Sequence, residues 1–285
     1  METEVTGSQT SVLTEEQTHH WKQNGYLLLK GLLSSGEIRN LTDVVNQMHA
    51  EHLNQPDAEP HHDFDQRNVM EEDDIFVGMM DHPVTFPIVL ELMGPYIGLG
   101  MSEVIVRPKN LNGKGRLHTD GGQAMRQIRV SEDSIPLQIK LQYFLTDVPH
   151  PNMGNFTLVP GSHRRLFPEG GFEEGPNIPE AVQICAEIGD VAIFTHSLWH
   201  GYVPNHSEVP RKSLIYCYVQ QFLRPYDFER PSPELLERCT PRQRRLIGDI
   251  GEWHFGSYFY SPTDQVDLMI GRQEETDQPT NQGRQ

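Results

Sequence analysis

The segment GRLHTDGG, residues 115–122, places an imidazole and a carboxylate two positions apart, at His118 and Asp120. Side chains at positions i and i+2 of a β-strand point to the same face, so these two can reach one metal ion. Two ligands leave a metal site incomplete, and the third must come from a distant part of the chain. His200 is the best candidate, because it follows the apolar run GDVAIF and precedes Gly201, as expected at the mouth of a sheet.

Two histidines and one carboxylate form a facial triad that leaves three positions open on an octahedral iron(II) ion. Catalytic zinc is more often tetrahedral, closed by one water, so the donor set favours iron while a zinc hydrolase using the same ligands stays open. Arg211 follows eleven residues after His200, and Ser213 lies two further on. Within one strand they share a face and form a fork for a carboxylate, which implies an iron enzyme with a carboxylate co-substrate.

The elements that must position these residues change character near Gly100. Before it, Thr14 with Gln17 predicts a capped helix, NGYLLLKGLL a buried strand, and the apolar spacing from Ile38 to Met48 an amphipathic helix. Residues 55–74 are rich in His, Asp, Glu and Pro and predict a solvated loop. The segment HPVTFPIVLELMGPYIG predicts a further helix that ends near Pro95.

After Gly100, short runs rich in β-branched and aromatic residues alternate with Gly, Pro and Asn, as in MSEVIVRPK, LQIKLQYFLTDV, GDVAIFTH and RKSLIYCYVQQFL. Several short strands with no strong helix between them predict a sandwich or barrel of antiparallel sheets. SPELLERCTPRQRRLIGDIGEW returns to helix-like sequence and predicts a flank on the sheet. Trp199, Trp253 and Phe255 are expected to be core residues or to line a substrate pocket.

Composition limits the classes of partner. The chain has 40 acidic against 23 basic residues and a net charge of −17, which argues against nucleic acid and anionic membrane surfaces as partners. Three dispersed cysteines fit neither a disulfide framework nor a zinc-knuckle spacing, and no run approaches a membrane span. We therefore expect a cytoplasmic protein, a monomer or homodimer, with a small-molecule substrate.

Four motifs in this order resemble the iron(II)/2-oxoglutarate-dependent dioxygenases, and among them the phytanoyl-CoA dioxygenase-like branch. They are HTD at 118–120, LTDVPHPNMGNFTLVPGSH at 145–163, GDVAIFTHSLWHG at 189–201 and NHSEVPRKS at 205–213. LTEEQTHHWKQNGYLLLKGLL is similar to the opening of this branch, and the resemblance spans about residues 13–225.

The resemblance implies a mainly β fold, a double-stranded β-helix of the jelly-roll, cupin-like kind, with helices outside one sheet. A single domain would cover 13–269, with a helical part at 13–98, the jelly-roll core at about 100–225 and a C-terminal flank at 226–269. Residues 1–12 and 270–285 are expected to be disordered.

The resemblance also implies roles for individual residues. His118, Asp120 and His200 would bind iron(II), and Arg211 with Ser213 would hold the distal carboxylate of 2-oxoglutarate, with O2 as the other co-substrate. Tyr143 aligns with an aromatic residue that lines the co-substrate pocket in relatives. The products would be succinate, CO2 and a hydroxylated substrate.

Two departures and one alternative accompany the resemblance. Tyr202 stands where some relatives carry a serine, which alters the hydrogen bonds expected around 2-oxoglutarate, and Asp120 argues against halogenation, which needs a small residue there.

Arg116 either faces the cavity and orients a polar substrate or pairs with a surface carboxylate. RQRRL at 242–246 is the only dense basic cluster, so a small metabolite or natural product is favoured over an acyl-CoA. The alternative is a cupin-like protein that binds a metal or small ligand without oxygen chemistry.

Overall fold

The computed structural model describes residues 11–126, 128, 134–172, 175–250 and 262–271. The segments predicted to be disordered, 1–12 and 270–285, lie outside the described residues except for 11–12 and 270–271, and so do Trp253 and Phe255, for which roles were predicted. The strands are β1 (Tyr26–Leu29), β2 (Phe64–Arg67), β3 (Ile97–Arg107), β4 (Arg116–His118), β5 (Gln138–Phe144), β6 (Phe156–Leu158), β7 (Val182–Gln183), β8 (Val191–Thr195), β9 (His200–Tyr202) and β10 (Arg211–Gln220). The helices are α1 (Glu15–Asn24), α2 (Ser35–Leu53), α3 (Asp74–Met79), α4 (Phe86–Met93), α5 (Gly122–Arg126), α6 (Pro233–Arg238), α7 (Pro241–Leu246) and α8 (Thr263–Met269).

The strands form two antiparallel sheets. The larger has the order β1-β8-β5-β10-β3-β2 and the smaller the order β4-β9-β6-β7. Most neighbouring strands are distant in sequence, although β2 pairs with β3 and β6 with β7, and the long pairing of β3 with β10 joins residues about a hundred positions apart. This is the jelly-roll arrangement expected of a double-stranded β-helix, and it confirms the predicted fold class.

The larger sheet separates two layers of different composition. Its outer face carries apolar side chains, among them Val104, Leu141 and Leu214, that pack against α2, α3 and α4 in the main hydrophobic core. Because successive side chains of a strand point to opposite faces, the intervening residues point towards the smaller sheet. Near β8 this inner space is filled by Phe144, Phe194 and other apolar residues, and elsewhere its lining is strongly polar.

The first helix begins where the sequence predicts, after Thr14, and the predicted amphipathic helix is α2. The side chains of Thr14 and Ser34 each cap a helix by accepting a hydrogen bond from the backbone N–H three residues later, and the side chains of Gln17 and Glu37 accept one from the backbone N–H of the cap residue. Such caps satisfy backbone groups that the first helical turn leaves unpaired. Ser11 and Val12 bind the carboxylate of Glu91, which ties the start of the described chain to α4.

The prediction of a loop over residues 55–74 is wrong in its second half. Residues 64–67 form β2 at the edge of the larger sheet, a 3₁₀ turn follows at Val69–Glu71, and Phe64, Val69 and Met70 are buried. β2 pairs with β3 so that Asp65 and Arg67 project from the inner face. These residues are polar because they line a cavity, and for that reason the segment lacks the apolar pattern by which a strand is predicted from sequence.

Two other observations concern predictions made from the sequence. Trp199 is buried and packs against Phe167 and Phe172, as expected of a core residue. Among the described helices, none is both long enough and apolar enough to cross a membrane.

Candidate functional site

The three predicted metal ligands lie together between the two sheets. His118 ends β4 and His200 begins β9, and the two are direct partners across the strand pair, with ring centroids 4.4 Å apart. Asp120 follows β4 in a turn held by its backbone N–H, which donates to the carbonyl of His196 at 2.9 Å. One ligand atom from each of the three residues lies within 4.8 Å of the others. The distant third ligand predicted from the sequence is therefore brought to the H-x-D motif by strand pairing.

Gly201 allows this close approach of β4 and β9. A Cβ atom at this position would lie 1.7 Å from the carbonyl oxygen of Arg116, well inside van der Waals contact. Only glycine fits between the strands, and its place directly after His200 sets the separation of the two imidazoles.

Hydrogen bonds orient the ligand atoms. Nδ1 of His200 lies 2.8 Å from the carbonyl oxygen of Leu198 and donates to it, which leaves Nε2 as the free ring nitrogen, 3.6 Å from Oδ2 of Asp120. Oδ2 is buried and has no hydrogen-bond partner among the described residues, whereas Oδ1 accepts from Lys140. A buried carboxylate oxygen with no partner is costly, and a cation between Oδ2 and the imidazoles would satisfy it.

The protonation states suit a cation. Burial, reinforced by the neighbouring His200, lowers the pKa of His118 to about 2, and burial likewise lowers the pKa of His200. Burial opposes ionisation of Asp120, but the charge and the hydrogen bond of Lys140 outweigh it and keep the pKa of the carboxyl below its usual range. At neutral pH the site therefore presents two neutral imidazoles and one carboxylate, the form in which these groups ligate metals.

Lys140 is a site residue that the analysis of the sequence missed. It lies in the middle of β5 on the inner face, and its Nζ is 2.8 Å from Oδ1 of Asp120. Both side chains are largely buried, and the attraction of Asp120 more than offsets the cost of burial, so the pKa of Lys140 lies above its ordinary value. The available signal was the alternation of β5, in which Gln138, Lys140 and Gln142 mark one wet face of an otherwise apolar strand.

A cavity of about 620 Å³ opens beside the metal ligands. Its cations come from five different strands, and they are Arg67, Arg107, Arg116, Lys140 and Arg211. Its carboxylates are Asp65, Glu103 and Asp120. The sequence showed no dense basic cluster for this site because each strand contributes only one cation.

The predicted pair of Arg211 and Ser213 is brought together at the start of β10. Arg211 is buried and lines the cavity, and its Nη1 donates to Oγ of Ser213 at 2.5 Å. Ser213 is fully buried beneath it. The serine therefore orients the guanidinium, and the guanidinium faces the cavity.

Tyr143 does not lie where the resemblance placed it. Its side chain projects from the outer face of the larger sheet, is fully buried in the main core, and its hydroxyl lies 2.8 Å from that of Thr85. On the inner face of the same strand, Gln142 lines the cavity and its amide nitrogen has no partner among the described residues. Tyr143 is therefore removed from the candidate co-substrate residues, and Gln142 takes its place.

Arg116 lines the cavity, which agrees with the first of the two alternatives for it, that it faces the cavity. It precedes His118 by two residues in β4 and its side chain is exposed. Within the described part of the chain it forms no ion pair with a carboxylate, unlike Arg67 and Arg107, which contact Glu103 and Asp63.

Comparison with known proteins places this fold and site in a family. Residues 21–213 match the model of the family described as phytanoyl-CoA dioxygenase (PhyH), which spans the triad and Arg211. The chain belongs to the phytanoyl-CoA dioxygenase family. A curated relative, the dioxygenase cdmA of Talaromyces verruculosus, is 29% identical over 113 residues, which is 39% of this chain and 37% of that protein.

Solved structures of other enzymes share the fold. HygX from Streptomyces hygroscopicus, crystallised with nickel and 2-oxoglutarate, superposes with a TM-score of 0.65 at 19% identity, over 79% of this chain and 94% of that one. The non-heme α-ketoglutarate-dependent epimerase SnoN from nogalamycin biosynthesis superposes with a TM-score of 0.57 at 21% identity, over 77% and 89%. At these identities the likeness shows the fold.

Proposed function

We propose that this protein is an iron(II)- and 2-oxoglutarate-dependent oxygenase that hydroxylates an unactivated C–H bond of a small molecule. The observation that carries the proposal is the cluster of His118, Asp120 and His200 at one end of a cavity that Arg211 also lines. Membership of the phytanoyl-CoA dioxygenase family supports it, and so do the metal and 2-oxoglutarate present in the HygX crystals.

The residues fit the metal. Nε2 of His200 is available because Nδ1 donates to the carbonyl oxygen of Leu198, and Oδ2 of Asp120 is a buried acceptor without a partner among the described residues. His118, Asp120 and His200 would hold iron(II) with the two-histidine, one-carboxylate donor set that suits non-haem iron(II) oxygenases. Iron(II) bound there would supply the reduction of O2, one oxygen atom entering succinate as CO2 leaves and the other entering the substrate.

The chain's own residues would bind and orient the reactants. Arg211, held by Ser213, would bind the distal carboxylate of 2-oxoglutarate through charge-assisted hydrogen bonds. Arg116 lines the cavity without an ion pair to any described carboxylate, and it would orient an anionic or hydrogen-bond-accepting group of the substrate. The apolar residues Phe156, Phe194 and Ile215 would shield part of the cavity from water.

The first test is anaerobic titration of iron(II) and then 2-oxoglutarate, followed by a visible charge-transfer band and, after O2 is admitted, by succinate release. The wild type should show both signals, and His200→Ala and Asp120→Ala should show neither. His206→Ala is the matched control, because His206 is exposed six residues after His200.

The outcomes separate the candidate functions. Metal binding without the band or succinate would overturn the oxygenase in favour of a cupin-like binding protein. Hydrolytic activity supported by zinc and independent of 2-oxoglutarate would indicate a zinc hydrolase. Succinate release from a metabolite library without incorporation of ¹⁸O from O2 into the product would replace hydroxylation with a reaction that adds no oxygen to the substrate, such as the epimerisation for which SnoN is named.

A further inference from the structure

A second arginine lies beside Arg211 at the same end of the cavity. Arg107 ends β3 and is the direct partner of Arg211 across the β3–β10 pair, so both side chains project from the same face. Both line the cavity, and they are only 8% and 2% exposed. Gly154 lies behind the pair, since a Cβ there would be 3.5 and 3.7 Å from the Cβ atoms of Arg211 and Arg107.

Two like charges buried side by side require compensation. Arg107 donates to the carboxylate of Asp63, whereas Arg211 forms no ion pair within the described part of the chain. Burial, together with the charge of Arg107, lowers the pKa of Arg211 to about 9. The Nε–H groups of both arginines are buried without an acceptor among the described residues. An unsatisfied buried donor is costly, and more so when it is charged, and the two arginines together carry one positive charge more than Asp63 balances.

Tyr202 holds Arg107 in this position. The guanidinium carbon of Arg107 lies 3.5 Å from the centroid of the Tyr202 ring, within the range of a cation–π contact. Tyr202 follows His200 by two residues in β9 and lines the cavity on the same side. The tyrosine stands where some relatives carry a serine, so a hydroxyl expected near the co-substrate is replaced by a ring that supports a second guanidinium.

We propose that Arg107, supported by Tyr202 and Asp63, binds the distal carboxylate of 2-oxoglutarate together with Arg211. The inference rests on the proposed function. A carboxylate with two oxygens satisfies one donor group on each arginine and neutralises the excess charge that Asp63 leaves. Arg107 is thus a specificity residue that favours 2-oxo acids with a second carboxylate over those without one.

The test compares two ligands that differ only at the distal end. 2-Oxoglutarate and 2-oxovalerate, which lacks the distal carboxylate, are titrated calorimetrically into nickel-loaded protein. Arg107→Met should weaken 2-oxoglutarate about 10- to 100-fold, the loss of about 1.5–3 kcal/mol expected of a hydrogen bond to a charged group, and leave 2-oxovalerate unchanged. Arg107→Lys should restore part of the affinity, and Tyr202→Ser should weaken 2-oxoglutarate in the same direction by less. Lys109→Met, two residues further along the chain and paired at the surface with Glu208, should bind both ligands as the wild type does.

Each other result overturns the inference. Equal weakening of both ligands would make Arg107 a structural residue, and unchanged 2-oxoglutarate affinity would remove it from the site. If Arg107→Met fails to fold because Asp63 is left unpaired, Asp63→Asn with Arg107→Met removes both charges and serves for the same comparison. A wild-type protein that binds metal but neither 2-oxo acid would instead refute the proposed function itself.

Discussion

Replacing Lys140 by methionine tests whether the buried charge of Asp120 destabilises the metal-free protein and whether a bound metal removes that destabilisation. Lys140 is the only cation within ion-pair distance of Asp120 among the described residues, with Nζ 2.8 Å from Oδ1, and both side chains are nearly buried. Methionine keeps most of the volume and removes the charge. Asp120 is then a buried carboxylate whose Oδ1 has lost its donor and whose Oδ2 had none.

The size of the effect follows from the burial. Removing one partner of a buried ion pair costs about 3–5 kcal/mol, because the remaining charge is left uncompensated. Domains are stable by only about 5–15 kcal/mol, so this is a large fraction of the total. At about 2–4 °C per kcal/mol for a domain of this size, the melting temperature of the metal-free variant should fall by about 10 °C.

A divalent metal should reverse most of that loss, because it gives Asp120 a new partner. In the wild type the metal would share the carboxylate with Lys140, whereas in Lys140→Met it would be the only cation beside Asp120 among the described residues. Saturating manganese(II) should therefore raise the melting temperature of Lys140→Met more than that of the wild type. Manganese(II) is chosen because it is stable in air. The assay is calorimetric unfolding with and without metal, with Lys109→Met as the surface control.

A metal-free Lys140→Met protein as stable as Lys109→Met would refute this account, and so would equal stabilisation of the wild type and the variant by metal. Asp120→Asn combined with Lys140→Met closes the cycle. If the two groups compensate each other, the double variant loses less stability than the sum of the single variants.

Three further predictions concern positions around the site. Tyr143→Phe should destabilise the fold by about 1–3 kcal/mol in urea unfolding, because it leaves the hydroxyl of Thr85 without its partner, while 2-oxoglutarate affinity stays as in the wild type; a tenfold weaker affinity would return Tyr143 to the co-substrate site. Gly201→Ala should abolish metal binding measured by calorimetry, since its Cβ would lie 1.7 Å from the Arg116 carbonyl oxygen and force β9 away from β4; wild-type affinity would contradict that geometry. The side-chain hydrogen bond from Ser34, aided by His82, lowers the pKa of Glu37 from 4.5 to about 2. The ionised Glu37 therefore stabilises the fold fully above pH 4.5, and this contribution is lost as the pH falls towards 2. The difference in unfolding free energy between wild type and Glu37→Gln should narrow between pH 6 and pH 3, and a constant difference would show that Glu37 is not the titrating group.

The metal ligands could be predicted because each lies in a short sequence motif whose residue types are typical of metal sites. His118 and Asp120 are two residues apart in sequence, and Gly201 marks the histidine that pairs with them. In the smaller sheet β9 lies next to β4, and this strand order brings His200 beside His118 and Asp120. The same local logic places Arg211 and Ser213 on one face of β10.

Residues that meet only through the order of the sheet could not be predicted in this way. Lys140 reaches Asp120 from β5, and Arg107 reaches Arg211 because β3 and β10 are neighbours in the larger sheet. Nothing in the sequence states that order. The error over Tyr143 has a different cause, because the alternation of β5 already marked the face of Lys140 as the wet one, and the resemblance assigned the opposite face to the cavity.

The polarity of the site also explains why β2 escaped detection. A strand that covers a hydrophobic core alternates apolar and polar residues, and Phe64 keeps that role on the outer face. Its inner neighbours Asp65 and Arg67 face a charged cavity, so the strand reads as a polar loop. Sequence patterns of burial therefore fail first at the strands that line an active site.

The charge of the cavity is opposite to that of the chain. Five cations and three carboxylates line it, in a protein whose net charge is −17. Asp63 and Glu103 pair with Arg107 and Arg67, and Asp120 with Lys140, which leaves Arg211 and Arg116 without a carboxylate, and Asp65 without a cation, at ion-pair distance in the described part of the chain. A dicarboxylate at Arg211 and an anionic or acceptor group at Arg116 would balance these two. The net negative charge of the chain would repel large polyanions, which agrees with the proposal of a small ligand for this cavity.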